Sequence, residues 1–140
     1  MAEPRLSVLI TSYEHERYIA RALDGVLEQR GVDFELLVGD DASSDGTRAV
    51  IRRYEQAHPG VIRTYFPERN LGQGGSAIFA ELLRQARGEL VAALDGDDYW
   101  TAPDKLRAQV AHMDAHPDCA MCFHDVLCHY FESDKVRMHF

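Results

Sequence analysis

The sequence predicts an α/β fold with a doubly wound, mainly parallel sheet and helices on both faces. Short apolar runs of strand length alternate along the chain with segments whose apolar residues recur at helical spacing. The runs are continuous rather than alternating, which is typical of strands buried in a parallel sheet. Polar and acidic residues directly follow several runs, at the strand ends where α/β sheets bind ligands.

The first half of the chain supplies two strand–helix units. Leu6–Thr11 is an apolar run, and the residues from Ile19 onward recur on one face of a helix that Gly31 is expected to end. Phe34–Gly39 is the second strand. The next helix has its apolar side around Ile51, and this order of elements favours parallel pairing.

The second half begins with the same alternation. Val61–Phe66 is a short strand, and Ser76, at the end of a glycine-rich loop, is expected to cap the helix Ala77–Ala86. Leu90–Leu94 is an unbroken apolar run, which predicts a strand that is buried on both faces.

The last part of the chain predicts one more helix and a hairpin. Pro103 suits the first turn of a helix that runs to about His116. Ala120–Phe131 has the composition of a strand, and Val136–Phe140 is its expected hairpin partner. Because the sequence contains neither repeats nor linkers, residues 1–140 are expected to form a single domain.

Charge and hydropathy limit the kinds of partner. The chain has 15 Lys and Arg against 23 Asp and Glu, a net charge of −8, which argues against binding to nucleic acid. No apolar run approaches the roughly 20 residues that span a bilayer. The N-terminus lacks the pattern of a signal peptide, so a cytoplasmic location is expected.

Three cysteines lie close together near the C-terminus. Cys119 and Cys122 have the spacing of zinc ligands, with His124 and His129 nearby. In a strand, however, this spacing would place the two cysteines on opposite faces, and a second CxxC is absent from the sequence. We therefore expect small buried thiols, including Cys128, in a reducing cytosol.

An acidic cluster follows the Leu90–Leu94 run directly. Asp95, Asp97 and Asp98 repel one another, and a hard divalent cation such as Mg²⁺ or Mn²⁺ would relieve that repulsion. A solvated acidic turn is the alternative. Polar clusters also follow the first two strands, at residues 11–14 and 40–45, and three such clusters at one edge of a sheet favour a metal site.

Two further segments are candidates for ligand contact. Asp41 follows a strand, where a carboxylate can accept a base N–H or a ribose hydroxyl, while Asp45 or Ser44 caps the next helix. The glycine-rich loop Asn70–Ser76 lacks the Lys-Ser/Thr of a P-loop but would let a diphosphate pass close to the backbone. Arg69 before it either meets negative charge or is solvated.

Four ordered motifs resemble the family 2 inverting glycosyltransferases with the GT-A fold. They are Ser7–Tyr13 (SVLITSY), Val38–Thr47 (VGDDASSDGT), Asn70–Gly72 (NLG) and Asp95–Asp98 (DGDD), and the resemblance covers residues 6 to about 125. It implies a GT-A-like, Rossmann-like sheet that binds a nucleotide-diphosphate sugar and a divalent metal, Mg²⁺ or Mn²⁺. Sugar would pass to a hydroxyl of a saccharide or another acceptor, with inversion.

Site residues follow from these motifs and loops. The expected substrate-binding residues are Thr11, Tyr13, Glu14, Asp41, Arg69, Asp95 and Asp97. The resemblance implies that Asp41 contacts the base, that Asp97 meets the ribose, and that Asp98 holds the metal together with Asp97. Glu14 stands where the family often has Asn.

The catalytic base has no counterpart in the matched motifs. Family members continue into an acceptor-binding half that carries this base, usually a carboxylate. The chain is therefore expected to be the N-terminal, nucleotide-sugar-binding part of a longer enzyme and to be inactive alone. Two alternatives stay open, a binding module without turnover and a nucleotidyltransferase of related fold, although the latter would favour a basic, glycine-rich loop where residues 11–17 contain two Glu.

Apolar residues at two places predict a partner. Uncovered, they would form an exposed patch, so we expect a homodimer through the C-terminal region. The residues are Tyr99, Trp100, Tyr130, Phe131, Met138 and Phe140.

Overall fold

The structure, a computed structural model, describes residues 3–130 and 135–139. It divides into two compact units, residues 1–107 and 108–140, and each is described by itself. The prediction of a single domain stays a prediction. In chain order the elements are β1 Leu6–Ser12, α1 Ile19–Leu27, β2 Phe34–Asp40, α2 Thr47–Ala57, β3 Ile62–Tyr65, α3 Ser76–Gln85, β4 Leu90–Asp95, α4 Lys105–Ala115, β5 Val126–Tyr130 and β6 Lys135–His139.

The first unit is built on a four-stranded parallel sheet in the order β3-β2-β1-β4. Central β1 pairs with β2 from Leu6 opposite Phe34 and with β4 from Leu6 opposite Leu90. This register brings the carboxyl ends of β1, β2 and β4 to one edge. The predicted α/β fold with a mainly parallel sheet is confirmed.

Helices cover both faces of this sheet, as predicted. Alternate residues of a strand point to opposite faces, so Val8 and Ile10 pack with the side chains of α1 and α2, whereas Leu9 and Leu37 pack with Leu82 of α3. All five side chains are essentially fully buried. Each such burial stabilises the fold by about 1.5–3 kcal/mol.

The prediction that β4 is buried on both faces is wrong. Among the described residues β4 pairs with β1 alone and is an edge strand, with Val91 43% exposed and Ala93 also exposed. Leu94 faces the α1 side and is buried. The physical reason is that α3 packs on β1 and β2, which leaves the other face of β4 uncovered.

Two helix boundaries differ from the prediction. Ser76 does not cap α3: Gly75 is the N-cap, and the Ser76 hydroxyl donates to the carbonyl oxygen of Gln73 at 2.8 Å. Helix α1 ends at Leu27, and Gly31, with φ +74°, lies in the loop that follows.

The aromatic residues after β4 are not an exposed patch, contrary to the prediction. Trp100 is 7% exposed and packs so closely on α1 that a Cβ at Gly25 would lie 2.8 Å from its carbonyl oxygen. The Lys105 ammonium lies 4.0 Å above the Trp100 ring, and the Arg21 guanidinium stacks 3.5 Å above Tyr99. The side chains of the other four residues of the predicted patch, Tyr130, Phe131, Met138 and Phe140, lie outside the described part.

The second unit contains the predicted antiparallel hairpin, with Cys128 of β5 opposite Arg137 of β6. The predicted strand from Ala120 is shorter, because residues 120–125 have no regular structure. Cys119, Cys122 and Cys128 are partly exposed free thiols, so the expectation of buried thiols is wrong. Among the described residues, no three His, Cys, Asp or Glu side chains are grouped to hold a metal. Nor does the described part contain a helix long and apolar enough to cross a membrane.

Candidate functional site

The carboxyl ends of β1, β2 and β4 surround an open cavity of about 470 Å³ in the first unit. This volume lies within the range of small-molecule sites. Its walls combine acidic, hydroxyl, imidazole and glycine residues. The lining residues are Thr11, Ser12, Tyr13, His15, Asp41, Asn70, Gly72, Gly74, Gly75, Ile78, Asp95 and Asp97.

Asp41 joins two of the loops that form the cavity. Its amide donates to the Ser12 carbonyl oxygen at 2.8 Å, and its Oδ1 accepts the Leu71 amide at 2.7 Å. The Asn70 side chain donates to the Asp41 carbonyl oxygen at 2.9 Å. Asp41 is 3% exposed. Since these contacts engage Oδ1 and the backbone, Oδ2 is the oxygen left for a ligand in the cavity.

The neighbouring Asp40 has a different role. It is fully buried, and its Oδ2 forms an ion pair with Arg48 at 2.7 Å and accepts the Ser43 amide at 3.0 Å. Its Oδ1 accepts the hydroxyls of Ser12, at 3.2 Å, and Ser43. With both oxygens engaged by the protein, Asp40 stabilises the end of β2, and of these two aspartates only Asp41 lines the cavity.

Two glutamates of the β1–α1 loop bind the β2–α2 loop. Glu14 Oε1 accepts the amide and the hydroxyl of Ser44, at 2.6 and 2.9 Å, and Glu16 Oε2 accepts the Gly46 amide at 3.0 Å. Glu14 has φ +57°, a left-handed conformation that costs a non-glycine residue about 1–2 kcal/mol. The Glu14 carboxylate is therefore turned to the loop, and Glu14 does not line the cavity.

Asp45 accepts a backbone amide at the start of α2, as expected from the sequence. Its carboxylate accepts the Thr47 amide at 3.0 Å and the Glu16 amide at 3.1 Å. Burial raises the pKa of the Asp45 carboxyl, but the hydrogen bonds from Thr47 and Glu16 outweigh it and lower the pKa below its usual value. The β1–α1 loop and the β2–α2 loop thus each accept hydrogen bonds from the other.

The acidic turn after β4 is held against the end of β1. The Thr11 hydroxyl donates to Asp95 Oδ1 at 3.1 Å, and the Gly96 amide donates to the Thr11 carbonyl oxygen at 2.8 Å. Partial burial raises the pKa of the Asp98 carboxyl, and the charges of Asp97 and Asp95 raise it further. Three carboxyl groups in one turn are therefore in electrostatic conflict, as the sequence suggests.

His15 is a cavity residue that the sequence analysis did not single out. Its ring packs against Gly96, where a Cβ would lie 2.8 Å from Nδ1. Nδ1 is buried and has no hydrogen-bond partner, and Nε2 lies 3.9 Å from Asp97 Oδ2. The available signal was its position in the polar turn directly after the first strand.

Glycines form the remaining wall. From Gly72 to Gly75 four successive residues have φ between +58° and +85°, including Gln73. Glycine adopts this region at little cost, which explains the composition of the loop. The loop brings backbone, rather than side chains, to the cavity surface.

The chain matches the family described as Glycosyl transferase family 2 over residues 7–134. It belongs to this family. A Mycobacterium tuberculosis relative, Rv1520, is 41% identical over 132 residues, which make up 93% of this chain but 37% of the relative. This family 2 chain thus spans well under half the length of that relative.

Two solved structures are similar to this family 2 chain. One is the Pyrobaculum calidifontis mannosyltransferase PcManGT in complex with GDP-Man and Mn²⁺, with TM-score 0.71, 30% identity, and coverage of 81% of this chain and 33% of that one. The other is S. aureus TarS 1-349 in complex with UDP-GlcNAc, with TM-score 0.71, 30% identity, and coverage of 81% and 32%. The resemblance inferred from the sequence and the GT-A-like fold are confirmed.

The acidic turn of this family 2 chain suits a hard divalent cation. Carboxylates are the preferred ligands of such a cation, and its charge would oppose the partial burial and the charges of Asp97 and Asp95 that raise the pKa of Asp98. Within the described residues no three acidic or imidazole side chains converge as a ready-made cage. The donor set therefore fits an ion held by one or two carboxylates and completed by phosphate oxygens.

The structure brings together five of the predicted site residues and leaves three aside. Thr11, Tyr13, Asp41, Asp95 and Asp97 all line the cavity. The predicted residues that do not line it are Glu14, Arg69 and Asp98, all three exposed.

Proposed function

We propose that this chain binds the nucleotide-diphosphate sugar of a metal-dependent, inverting glycosyltransferase. The observation that carries the proposal is that Asp41 and two carboxylates of the acidic turn, Asp95 and Asp97, line one cavity at the carboxyl edge of the sheet. A site for a nucleoside diphosphate needs a group that recognises the base and a group that binds a metal at the phosphates. Asp41 and the acidic turn would supply these two groups. The family match and the nucleotide-sugar complexes of the two similar structures support it.

Each wall of the cavity has a part in donor binding. Asp41 Oδ2 accepts an N–H of the base, and Tyr13, 50% exposed beside it, supplies an aromatic face. Asp97 meets the ribose, and the positive-φ loop lets the diphosphate approach the backbone. Arg69, exposed before that loop, contributes positive charge.

The acidic turn contributes to the departure of the leaving group. Asp98, with Asp97, would hold Mg²⁺ or Mn²⁺, which neutralises charge on the departing diphosphate when bound. In the transfer, an acceptor oxygen bonds to the anomeric carbon as the bond from that carbon to the diphosphate breaks. The bonding electrons leave with the diphosphate, and the acceptor proton passes to a base.

Donor binding and transfer are separate parts of this proposal. The cavity of residues 1–107 contains the donor-binding set, whereas none of its lining residues is assigned as the base. We therefore propose that residues 1–140 bind donor without transferring sugar. A binding module without turnover is the alternative. Sugar-transfer assays of a chain as long as the relatives separate the two.

Calorimetry with UDP-, GDP-, dTDP- and ADP-sugars, each with Mn²⁺ and with EDTA, tests the proposal. One base should bind more tightly than the others, and EDTA should weaken its binding. Failure of all four nucleotides to bind in the presence of Mn²⁺ would refute the assignment of the cavity.

A further inference from the structure

His15 stands between the loop after β1 and the acidic turn after β4. Its ring lines the cavity, and the contact with Gly96 leaves no room for a side chain at that position, since a Cβ would lie 2.8 Å from Nδ1. The Gly96 Cβ position would also lie 2.9 Å from Ser12 Cβ and 3.0 Å from the Thr11 carbonyl oxygen. The acidic turn thus packs directly against the His15 ring. This contact fixes the position of the ring relative to Asp97.

The surroundings of the ring decide which nitrogen carries the proton in neutral His15. Nδ1 is buried without a hydrogen-bond partner, so it is an unpaired donor in one tautomer and an unpaired acceptor in the other, and it does not discriminate between them. Nε2 faces the Asp97 carboxylate, 3.9 Å away. A lone pair at Nε2 would repel that carboxylate, whereas an N–H attracts it. The Asp97 carboxylate therefore favours the tautomer with the proton on Nε2.

We propose that His15 is a positioning residue that orients the Asp97 carboxylate through an Nε2–H···Oδ2 hydrogen bond when the donor binds. The separation of 3.9 Å exceeds hydrogen-bond length, so a side-chain movement of about 1 Å forms the contact. Asp97 is 53% exposed and is otherwise free to rotate, while His15 is anchored on Gly96. This inference rests on the proposed function of the cavity.

The tautomer is tested on the ligand-free protein. Long-range ¹H–¹⁵N NMR correlations of the ring distinguish a protonated Nε2 from a protonated Nδ1. We expect the Nε2–H form of neutral His15. A predominantly Nδ1-protonated ring would overturn the inference without bearing on whether the cavity binds nucleotides.

Two isosteric variants separate the two nitrogens in binding assays. Gln places an amide N–H near the position of Nε2, whereas Asn places one near Nδ1. With Mn²⁺ and the preferred nucleoside diphosphate, His15→Ala and His15→Asn should bind roughly tenfold more weakly, and His15→Gln should stay near wild type. Arg17→Ala, an exposed change in the same loop, is the matched control and should bind as wild type.

A double-mutant cycle with Asp97→Ala, which removes the acceptor, tests whether His15 acts through Asp97. In that background His15→Ala should cause no further loss of affinity. If His15→Ala weakens binding as much in that background as in wild type, His15 contacts the ligand directly. If His15→Asn rather than His15→Gln binds like wild type, Nδ1 has the role instead of Nε2. Either result overturns the inference. If wild type binds nucleotide and His15→Ala binds equally well, the inference alone fails. If wild type binds none, the proposed function fails and this inference with it.

Discussion

Glu35 lies at the edge of the sheet opposite the cavity and should make the fold sensitive to acid. It is 3% exposed, and its carboxylate accepts hydrogen bonds from the Ser7 hydroxyl at 2.7 Å, Arg63 at 3.0 Å, and the Arg87 amide and Nε at 2.7 and 2.9 Å. Burial raises the pKa of this carboxyl, but the bonds from Arg87, Ser7 and Arg63 outweigh it and lower the pKa from 4.5 to about 2.

The size of the effect follows from linkage between protonation and folding. Since the folded pKa lies below the unfolded one, the stabilisation is fully present above pH 4.5 and is lost as the pH falls towards 2. A difference of about 2.5 pKa units corresponds to roughly 3 kcal/mol, of which about 2 kcal/mol is lost by about pH 3.

Urea unfolding of wild type and Glu35→Gln at a series of pH values measures this contribution. At about pH 7 the variant should be less stable by roughly 2–3 kcal/mol, because it loses the charge that pairs with two arginines. The difference should shrink by about 2 kcal/mol on going to about pH 3. Glu81→Gln, which removes the charge from the surface contacts of Glu81 with Arg84 and Gln85, is the control. A difference between wild type and Glu35→Gln that does not change with pH would refute the reasoning.

Three further predictions concern the candidate site and the loop that follows β2. Asp41→Asn keeps an oxygen that can accept the Leu71 amide but replaces the free carboxylate oxygen by an NH₂ donor. Calorimetry should therefore show roughly tenfold weaker binding of the preferred nucleotide and less discrimination between bases. An equal loss of affinity for every base would contradict a base contact. Asp98→Ala should weaken Mn²⁺-dependent binding by about 1–3 kcal/mol, and an unchanged affinity that also survives EDTA would disprove the metal role. Ala42→Gly should raise the unfolding free energy by about 0.5–1 kcal/mol, because Ala42 has φ +61° and glycine avoids most of that strain; lower stability in urea would argue against it.

The sequence was sufficient to locate the candidate donor site but not to give every residue its role. Asp41 and Asp97 were found because acidic residues after parallel strands meet at one edge. Adjacent Asp40 and Asp41 look alike in the sequence, and only the ion pair between Asp40 and Arg48 separates the structural residue from the candidate ligand. Likewise, the contact of His15 with Gly96 joins residues far apart in the chain and has no local pattern.

By itself, the sequence determined the class of fold, the order of strands and helices, the family and the edge where a ligand would bind. Apolar periodicity and strand-end chemistry are local properties, so they can be read without coordinates. The tertiary structure alone decided that β4 lies at the edge and that Trp100 is buried on α1. An apolar run records that its residues favour burial, but the order of strands and the face that each helix covers decide how much of it is buried.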